Sequence, residues 1–287
     1  MGLNIVPPCS YQGGKQRLAK QIVDIIYEDN NITDETQFYD LCCGSGAISI
    51  GMINNGFCDF NITMVDASPW GLFYQRVGDL TFSTDVFKLY IDDIPKDITK
   101  IKDYAEKMIK MQANDGLFDN MVYKFLILQA CAFGSTATWV EDNKWKKSGG
   151  LRNYWMPTPK SNRRSPVNPM MPMPNTLFER VENICSYMDG IKGIYGKVED
   201  VEILNGSIIY LDPPYKGTCD YGYDIDYMEY INNLLNTKNN IKIYLSEGYP
   251  IYSANKQILL STGRRKGNIS GNTKNKPTEE WLNVFCN

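Results

Sequence analysis

Asp212-Pro213-Pro214-Tyr215 follows directly on the apolar run Ile208-Ile209-Tyr210-Leu211. The run has the length and β-branching of a short buried strand. Two prolines in succession lack N–H groups and fix φ, so they end the ladder and lead the chain away as a stiff loop. That loop offers one carboxylate, one free carbonyl and one aromatic ring. The set suits an exocyclic aromatic amine, with two acceptors for its N–H groups and a flat surface for its ring. It is a poor set for a metal and contains no arrangement for covalent catalysis.

Three further segments carry residues of chemical interest. Gly44-Ser45-Gly46 lies between Phe38-Tyr39-Asp40-Leu41 and an apolar helical stretch, so its backbone can approach a ligand closely at a helix start. It is not a Gly-x-Gly-x-x-Gly loop, because position 49 is serine, and dinucleotide binding is therefore not favoured. Asp66 ends the run Ile62-Thr63-Met64-Val65, where a carboxylate can meet ribose hydroxyls. Upstream, Tyr11-Gln12-Gly13-Gly14-Lys15 is a glycine pair before a helix, with Lys15 suited to a ligand carboxylate and Tyr11 to covering it. Ordinary glycine turns before amphipathic helices carry the same composition, so none of these segments is specific alone.

The elements that must hold these residues read as an α/β pattern. A helix is expected over 15–29, where Leu18, Ile22, Val23, Ile25 and Ile26 mark one face. A strand follows at 38–41, a helix at 47–54 and a strand at 62–65 ending at Asp66, which is the opening of a doubly wound sheet. Helical patterns dominate to Phe133, notably at 101–111 and 121–133. Residues 139–155 then have a hairpin-like composition, and the proline-rich stretch 156–174 reads as an irregular loop. A helix over 175–188 restores the pattern, and strands are expected at 207–211, 241–245, 256–261 and 281–285. Residues 75–175 thus form an insertion between two halves of one sheet, 1–74 and 176–287.

Bulk composition narrows the function classes. With 287 residues and 43% hydrophobic content the chain can bury a sizeable core as one large domain or two small ones. No apolar run is long enough to span a bilayer, and no signal peptide is readable, so a soluble, cytoplasmic protein is expected. Eight cysteines without a Cys-x-x-Cys pair, and no histidine, argue for reduced thiols and against a structural zinc site. The missing histidine also excludes Ser-His-Asp and Cys-His catalysis. Net charge is -3, yet Lys144, Lys146, Lys147, Arg152, Lys160, Arg163 and Arg164 run without an intervening acid, as do Arg264, Arg265, Lys266, Lys274 and Lys276. Two such patches suit a polyanion held on one face; two solvated loops would look the same.

In order, these segments resemble the Dam-type adenine-N6 DNA methyltransferases, including those encoded by bacteriophages. Tyr11 to Lys15 resembles the family's N-terminal cofactor segment, Phe38 to Gly46 its glycine loop, Val65-Asp66 its ribose-binding strand end and Asp212 to Tyr215 its catalytic tetrapeptide. Lys216-Gly217-Thr218 with Tyr221, Tyr244-Leu245-Ser246-Glu247 and Glu280-Trp281-Leu282 are similar too. Two stretches depart from the pattern: Val201 stands where the family has phenylalanine after Asp200, and Phe133-Gly134-Ser135 replaces a Tyr-Gly-Tyr-Asn-like stretch.

The resemblance implies a Rossmann-like methyltransferase that moves a methyl group from S-adenosylmethionine to the N6 amine of a flipped-out adenine in double-stranded DNA, without a metal. If the gene is phage-borne, the bacterial host cytoplasm is the setting. It implies catalytic roles for Asp212, Pro213 and Tyr215. It implies cofactor contacts from Tyr11, Lys15, Phe38, Asp40, Gly44, Gly46, Asp66, Asp200, Val201 and Asp212. The inserted block then resembles a target-recognition region. Lys144, Lys146, Lys147 and Arg152 are expected to contact DNA there, with Arg152 and Lys146 or Lys147 at base edges and Arg264 and Arg265 on phosphate. Trp145 and Tyr154 fit either the same face or the core. An RNA or protein-glutamine methyltransferase, or a DNA-binding protein without catalysis, are the competing readings; the aspartate at 212 and the order of segments favour DNA adenine.

Overall fold

The computed structural model describes residues 4–114, 120–214, 225–264 and 277–287, with only the backbone at 263, 264, 277 and 278. The first half runs α1 (Ala19–Asp29), β1 (Phe38–Leu41), α2 (Ala47–Asn54), β2 (Ile62–Asp66), α3 (Pro69–Gly78), α4 (Thr84–Asp92), α5 (Ile101–Met108), α6 (Met121–Cys131), β3 (Thr138–Glu141) and β4 (Lys144–Lys147). The second half runs α7 (Pro174–Tyr187), β5 (Lys192–Tyr195), β6 (Ile208–Leu211), α8 (Tyr227–Thr237), β7 (Lys242–Glu247), β8 (Lys256–Arg264) and β9 (Pro277–Cys286).

Seven strands form one sheet in the order β5-β2-β1-β6-β7-β9-β8. The first five are parallel, while β9 runs antiparallel to both β7 and β8. Strands β1, β2 and β6 are buried along their whole length, which is why they read as unbroken apolar runs. Alternate residues serve opposite faces. Phe38, Met64, Tyr210 and Tyr244 join a core with α1 to α7, whereas Tyr39, Leu41, Ile209, Leu211 and Ile243 pack with Tyr227, Ile231 and Leu234 of α8. The molecule is therefore an α/β fold with a mostly parallel mixed sheet flanked by helices. Among the described residues no helix is long and apolar enough to cross a membrane.

Most expected elements form, with three instructive differences. First, α1 begins at Ala19 rather than 15, because Tyr11 to Leu18 is spent on two tight turns, Gly14 N–H to Tyr11 O and Leu18 N–H to Lys15 O. Second, β5 was not expected: Lys192-Gly193-Ile194-Tyr195 is a short, half-exposed edge strand with a glycine in it. Third, the hairpin is β3–β4, turned by Asp142 and Asn143 with φ of 50° and 57°, the paired positive-φ geometry of a two-residue hairpin loop. The expected boundaries at 74/75 and 175/176 fall inside α3 and the first turn of α7. Helices α4 to α7 share one core cluster with the sheet.

Helix α3 lies on β5 with backbone against backbone. A Cβ at Gly193 would come 2.1 Å from Gln75 N and Tyr74 C, and one at Gly78 would come 2.1 Å from Ile191 O. Neither neighbour is a side chain that can turn aside. Gly193→Ala is expected to destabilise the fold by about 1–3 kcal/mol through overpacking. A lowered urea midpoint with unchanged slope would show it, and an unchanged midpoint would refute it.

Candidate functional site

Register places the chemistry. Leu41 pairs with Val65 on one side and Leu211 on the other, and Leu211 pairs with Leu245. The next positions along these strands, Cys42, Asp66, Asp212 and Ser246, therefore form one row at the carboxyl edge of the sheet. Strand order reverses between β1 and β6, and ligands of open α/β sheets bind in the crevice at such a switch point. Asp212 is pinned across it, its N–H donating to Leu41 O at 3.2 Å.

A cleft of about 590 Å3 opens there, lined by the turn 11–15, Asp40, the loop Cys42 to Ser45, Ala47 and Ile48 of α2, Asp66 to Ser68, Gly196, Val198, Tyr210, Asp212 to Pro214, Glu247 to Tyr249, and Glu279 and Glu280. Its floor is an ion pair. Lys15 Nζ donates to Asp212 Oδ1 at 2.6 Å, to Asp212 Oδ2 at 2.7 Å and to Gly13 O at 3.0 Å. Glu280 Oε1 is 3.5 Å from the same ammonium. Lys15 is 6% exposed and Asp212 17%. Burial pushes the Asp212 carboxyl up to about 6; Lys15 opposes this by charge and hydrogen bonding, and Glu280 and Glu247 add to it. Glu247 is also raised by burial, although it accepts from Gly248 N–H at 2.7 Å and from Tyr227 Oη–H at 3.0 Å.

The glycine loop is built by close approach. Gly44 has φ +50°, and a Cβ there would lie 3.0 Å from the Tyr11 ring, which packs edge-on against Trp70. Tyr11 thus covers Gly44. Asp66 braces the same loop: its Oδ2 accepts from Gly44 N–H and its Oδ1 from Ser68 N–H, both at 2.8 Å. Asp40 accepts from Ser49 Oγ–H at 2.7 Å and Ser49 N–H at 3.2 Å, near the start of α2. Within the cleft wall the buried Ser45 Oγ and Gln12 Oε1 have no hydrogen-bond partner among the described residues. Buried polar atoms of this kind call for a ligand or water.

Not every expected residue reaches the cleft. Phe38 opens β1, about 10 Å of strand rise before the carboxyl edge, and packs edge-on against Phe57 instead. Gly46 is a packing glycine: a Cβ there would meet Tyr74 Oη at 2.2 Å, and that hydroxyl donates to Ser45 O at 2.6 Å. Asp200 is exposed and Val201 half-buried after the 3-10 turn Val198–Asp200, and Val198, not these two, lines the cleft. Arg152 is 8% exposed and donates to Ala130 O and Ser135 Oγ, which removes it from the exposed basic face. Trp145 is core. Lys144, Lys146 and Lys147 are exposed on the hairpin, with Lys146 3.4 Å from Glu141 and Lys147 bonded to Gly149 O. Tyr215 and Arg265 lie outside the described residues, as does the side chain of Arg264.

The structure adds residues to which the sequence reading gave no role. Glu247 ends an apolar strand as Asp66 does, and Asp212 directly follows one, a pattern that could have found it. Glu279 and Glu280 come from the antiparallel β9, and only its register against β7 and β8 brings them to the cleft. Among the described residues no group of three or more metal-ligating side chains is arranged to hold an ion.

Asp40 carries a measurable consequence. Burial pushes its carboxyl up from 3.8 to about 7, only partly offset by the Ser49 hydrogen bonds. The folded chain therefore holds a proton that the unfolded chain releases, and stability falls as pH rises from about 4 to about 7. Asp40→Asn is expected to raise stability at pH 8 by on the order of 1–3 kcal/mol and to change little at pH 4. Urea denaturation at the two values checks this; an equal effect at both would contradict it. No protein-family model matches the chain, and no curated protein matches it significantly.

Proposed function

We propose that this protein is an S-adenosylmethionine-dependent methyltransferase acting on the N6 amine of an adenine turned out of double-stranded DNA. The observation that carries the reading is that Asp212 and the Gly44 turn, which are 168 residues apart by number (212 − 44), share one cleft at the sheet's switch point. A Rossmann-like methyltransferase fold accords with that sheet, and the exposed Lys144, Lys146 and Lys147 accord with a phosphate-binding face.

The cleft fits the cofactor on chemical grounds. Among the described residues its lining carries six acidic side chains, Asp40, Asp66, Asp212, Glu247, Glu279 and Glu280, against the one ammonium of Lys15. Such a wall favours a sulfonium and an α-amino group and opposes a pyrophosphate. The unpartnered Ser45 Oγ and Gln12 Oε1 are free to bond polar groups of a ligand, and a Cβ at Gly44 would fill the contact that Tyr11 makes. Asp66 Oδ1 and Oδ2 each keep a lone pair for ribose hydroxyls. When bound, S-adenosylmethionine supplies an electrophilic methyl group on a good leaving group.

The protein's residues then have positional work. An adenine amine is a poor nucleophile because its lone pair is delocalised into the ring. Asp212 and the Pro213 carbonyl accept its two N–H bonds, which favours a pyramidal nitrogen with its lone pair free. Tyr215 supplies the stacking surface. Orientation of this kind can contribute up to about 7–11 kcal/mol, and fixed acceptors stabilise the charge that develops on nitrogen. Asp212 need not be a strong base beforehand, because the proton becomes acidic once nitrogen is methylated. Turning the base out of the duplex costs a few kcal/mol, which phosphate contacts offset.

Asp212→Ala is expected to reduce methyl transfer at least about 10^3-fold while leaving DNA binding within a few-fold of wild type; wild-type transfer by that variant would end the reading. Ser45→Ala is expected to leave the ligand-free stability unchanged, since its hydroxyl has no bond to lose, and to weaken S-adenosylmethionine binding about 3–10-fold. Isothermal titration and thermal melts measure both, and an absence of any binding by wild type would count for a DNA-binding protein without catalysis.

A further inference from the structure

The bonds that draw Arg152 inward do not neutralise it. Nη1 donates to Ala130 O at 3.4 Å and Nη2 to Ser135 Oγ at 3.3 Å. Both acceptors are uncharged, and both bonds are longer than the roughly 2.7–2.9 Å of a charge-assisted one. Among the described residues no carboxylate acts on this guanidinium; the groups that do are the Cys9 and Cys131 thiols and Arg163. Burial pushes both thiols up to about 12, so at neutral pH neither is an anion. Arg163 is exposed and of like sign, and a third guanidinium, Arg180 of α7, also acts on Cys9. Lys15, buried as deeply, has Asp212 against it. Arg152 is a desolvated cation among cations, an arrangement that is costly until an anion joins it.

The place of Arg152 in the fold indicates which anion. The arms of the hairpin stay paired below Thr138 and Lys147, through Ser148 N–H to Ala137 O, Phe133 N–H to Gly150 O and Arg152 N–H to Cys131 O. Arg152 therefore lies at the root of the ribbon that carries the exposed Lys144, Lys146 and Lys147. At that root Gly134 and Ser135 have φ of 66° and 61°. Two successive left-handed residues, one of them not glycine, make a strained turn, and Ser135 of this turn holds Arg152. Gln129, buried in α6, fastens the turn by donating to Thr136 O at 2.9 Å and accepting from Thr138 N–H at 3.0 Å. The guanidinium is thus oriented by a braced segment.

We propose that Arg152, together with Arg163, binds one backbone phosphate of the DNA at the root of the β3–β4 hairpin. The source of the phosphate rests on the methyltransferase reading; the anion site itself does not. A guanidinium meets a phosphate with two parallel N–H donors, and the phosphate supplies the counter-charge that the fold leaves out. Such a contact reads no base. It fixes how the duplex is seated along the hairpin lysines.

The full chain carries the test. In melts without added anions, Arg152→Gln is expected to be at least as stable as wild type, because a desolvated charge is gone; an arginine with a purely structural role gives the opposite sign. Inorganic phosphate is expected to raise the melting midpoint of wild type more than that of Arg152→Gln. Duplex binding over a salt series is expected to be about tenfold weaker in Arg152→Gln, with a salt slope smaller by about 0.9, the counterion release of one phosphate. Arg152→Lys keeps the slope and recovers part of the affinity. Neutral methylphosphonates placed singly in the duplex locate the contact: one position weakens wild type and leaves Arg152→Gln unaffected. Arg163→Gln, an exposed change, is expected to lower the slope as well, and it carries the DNA measurements if Arg152→Gln does not fold. Wild-type affinity and slope in both variants would overturn the site, whatever their stability. Phosphate stabilisation without any matching methylphosphonate position overturns DNA as the source. A wild-type protein that shows these slopes but transfers no methyl group removes the proposed function alone.

Discussion

One ion pair organises this molecule. Lys15 and Asp212 are separated by 197 positions in the chain, and their contact at 2.6–2.7 Å ties the segment before α1 to the end of β6. An ammonium that is 6% exposed cannot stand unpaired, because its desolvation would be expensive without a counter-charge. Once it is paired, the turns of residues 11–18 are held over the sheet edge, Tyr11 is laid on Gly44, and the cleft acquires its near wall. Buried ion pairs of this sort are weak sources of net stability and strong sources of geometry. Either partner alone would be far worse than both together.

The row of acids around that pair has a structural origin. Parallel strands of matched register end on one line, so a carboxylate at or just past the end of each strand meets its neighbours. Four of them reach the line from different directions: Asp66 from β2, Asp212 from β6, Glu247 from β7 and Glu280 from β9. Backbone N–H groups carry part of the resulting repulsion, as at Gly44 and Ser68 for Asp66, Ser49 for Asp40 and Gly248 for Glu247. What remains is visible as carboxyls held above their ordinary range, with burial as the first cause at Asp40, Asp66, Asp212 and Glu247. Such strain is typical of a surface arranged for a ligand rather than for stability.

Amphipathic and apolar periodicity determined much of the fold unaided. Strands β1, β2, β6 and β7 are buried on both faces, so their composition alone marks them, and α2 forms between residues 47 and 54 as its apolar run requires. The local chemistry was equally readable where one residue type in one place does the work: Asp212 after a strand and before two prolines, Asp66 at a strand end, Gly44 in a positive-φ turn. The edge strand β5 was not legible, because its four residues are short, half exposed and held by the backbone of α3 rather than by an apolar side-chain pattern. Tertiary packing alone decided the fates of residues with similar local credentials. Arg152 and Lys144 both looked like surface cations, but Arg152 turns inward because Ala130 O and Ser135 Oγ offer it partners there. Gly44 and Gly46 looked like one loop, but only the former faces the cleft, since Tyr74 fills the space behind the latter. Glu280 joins the cleft through strand register, and Lys15 faces Asp212 through a closure across most of the chain. Contacts of that range leave no periodic trace, which is why only the folded structure could supply them.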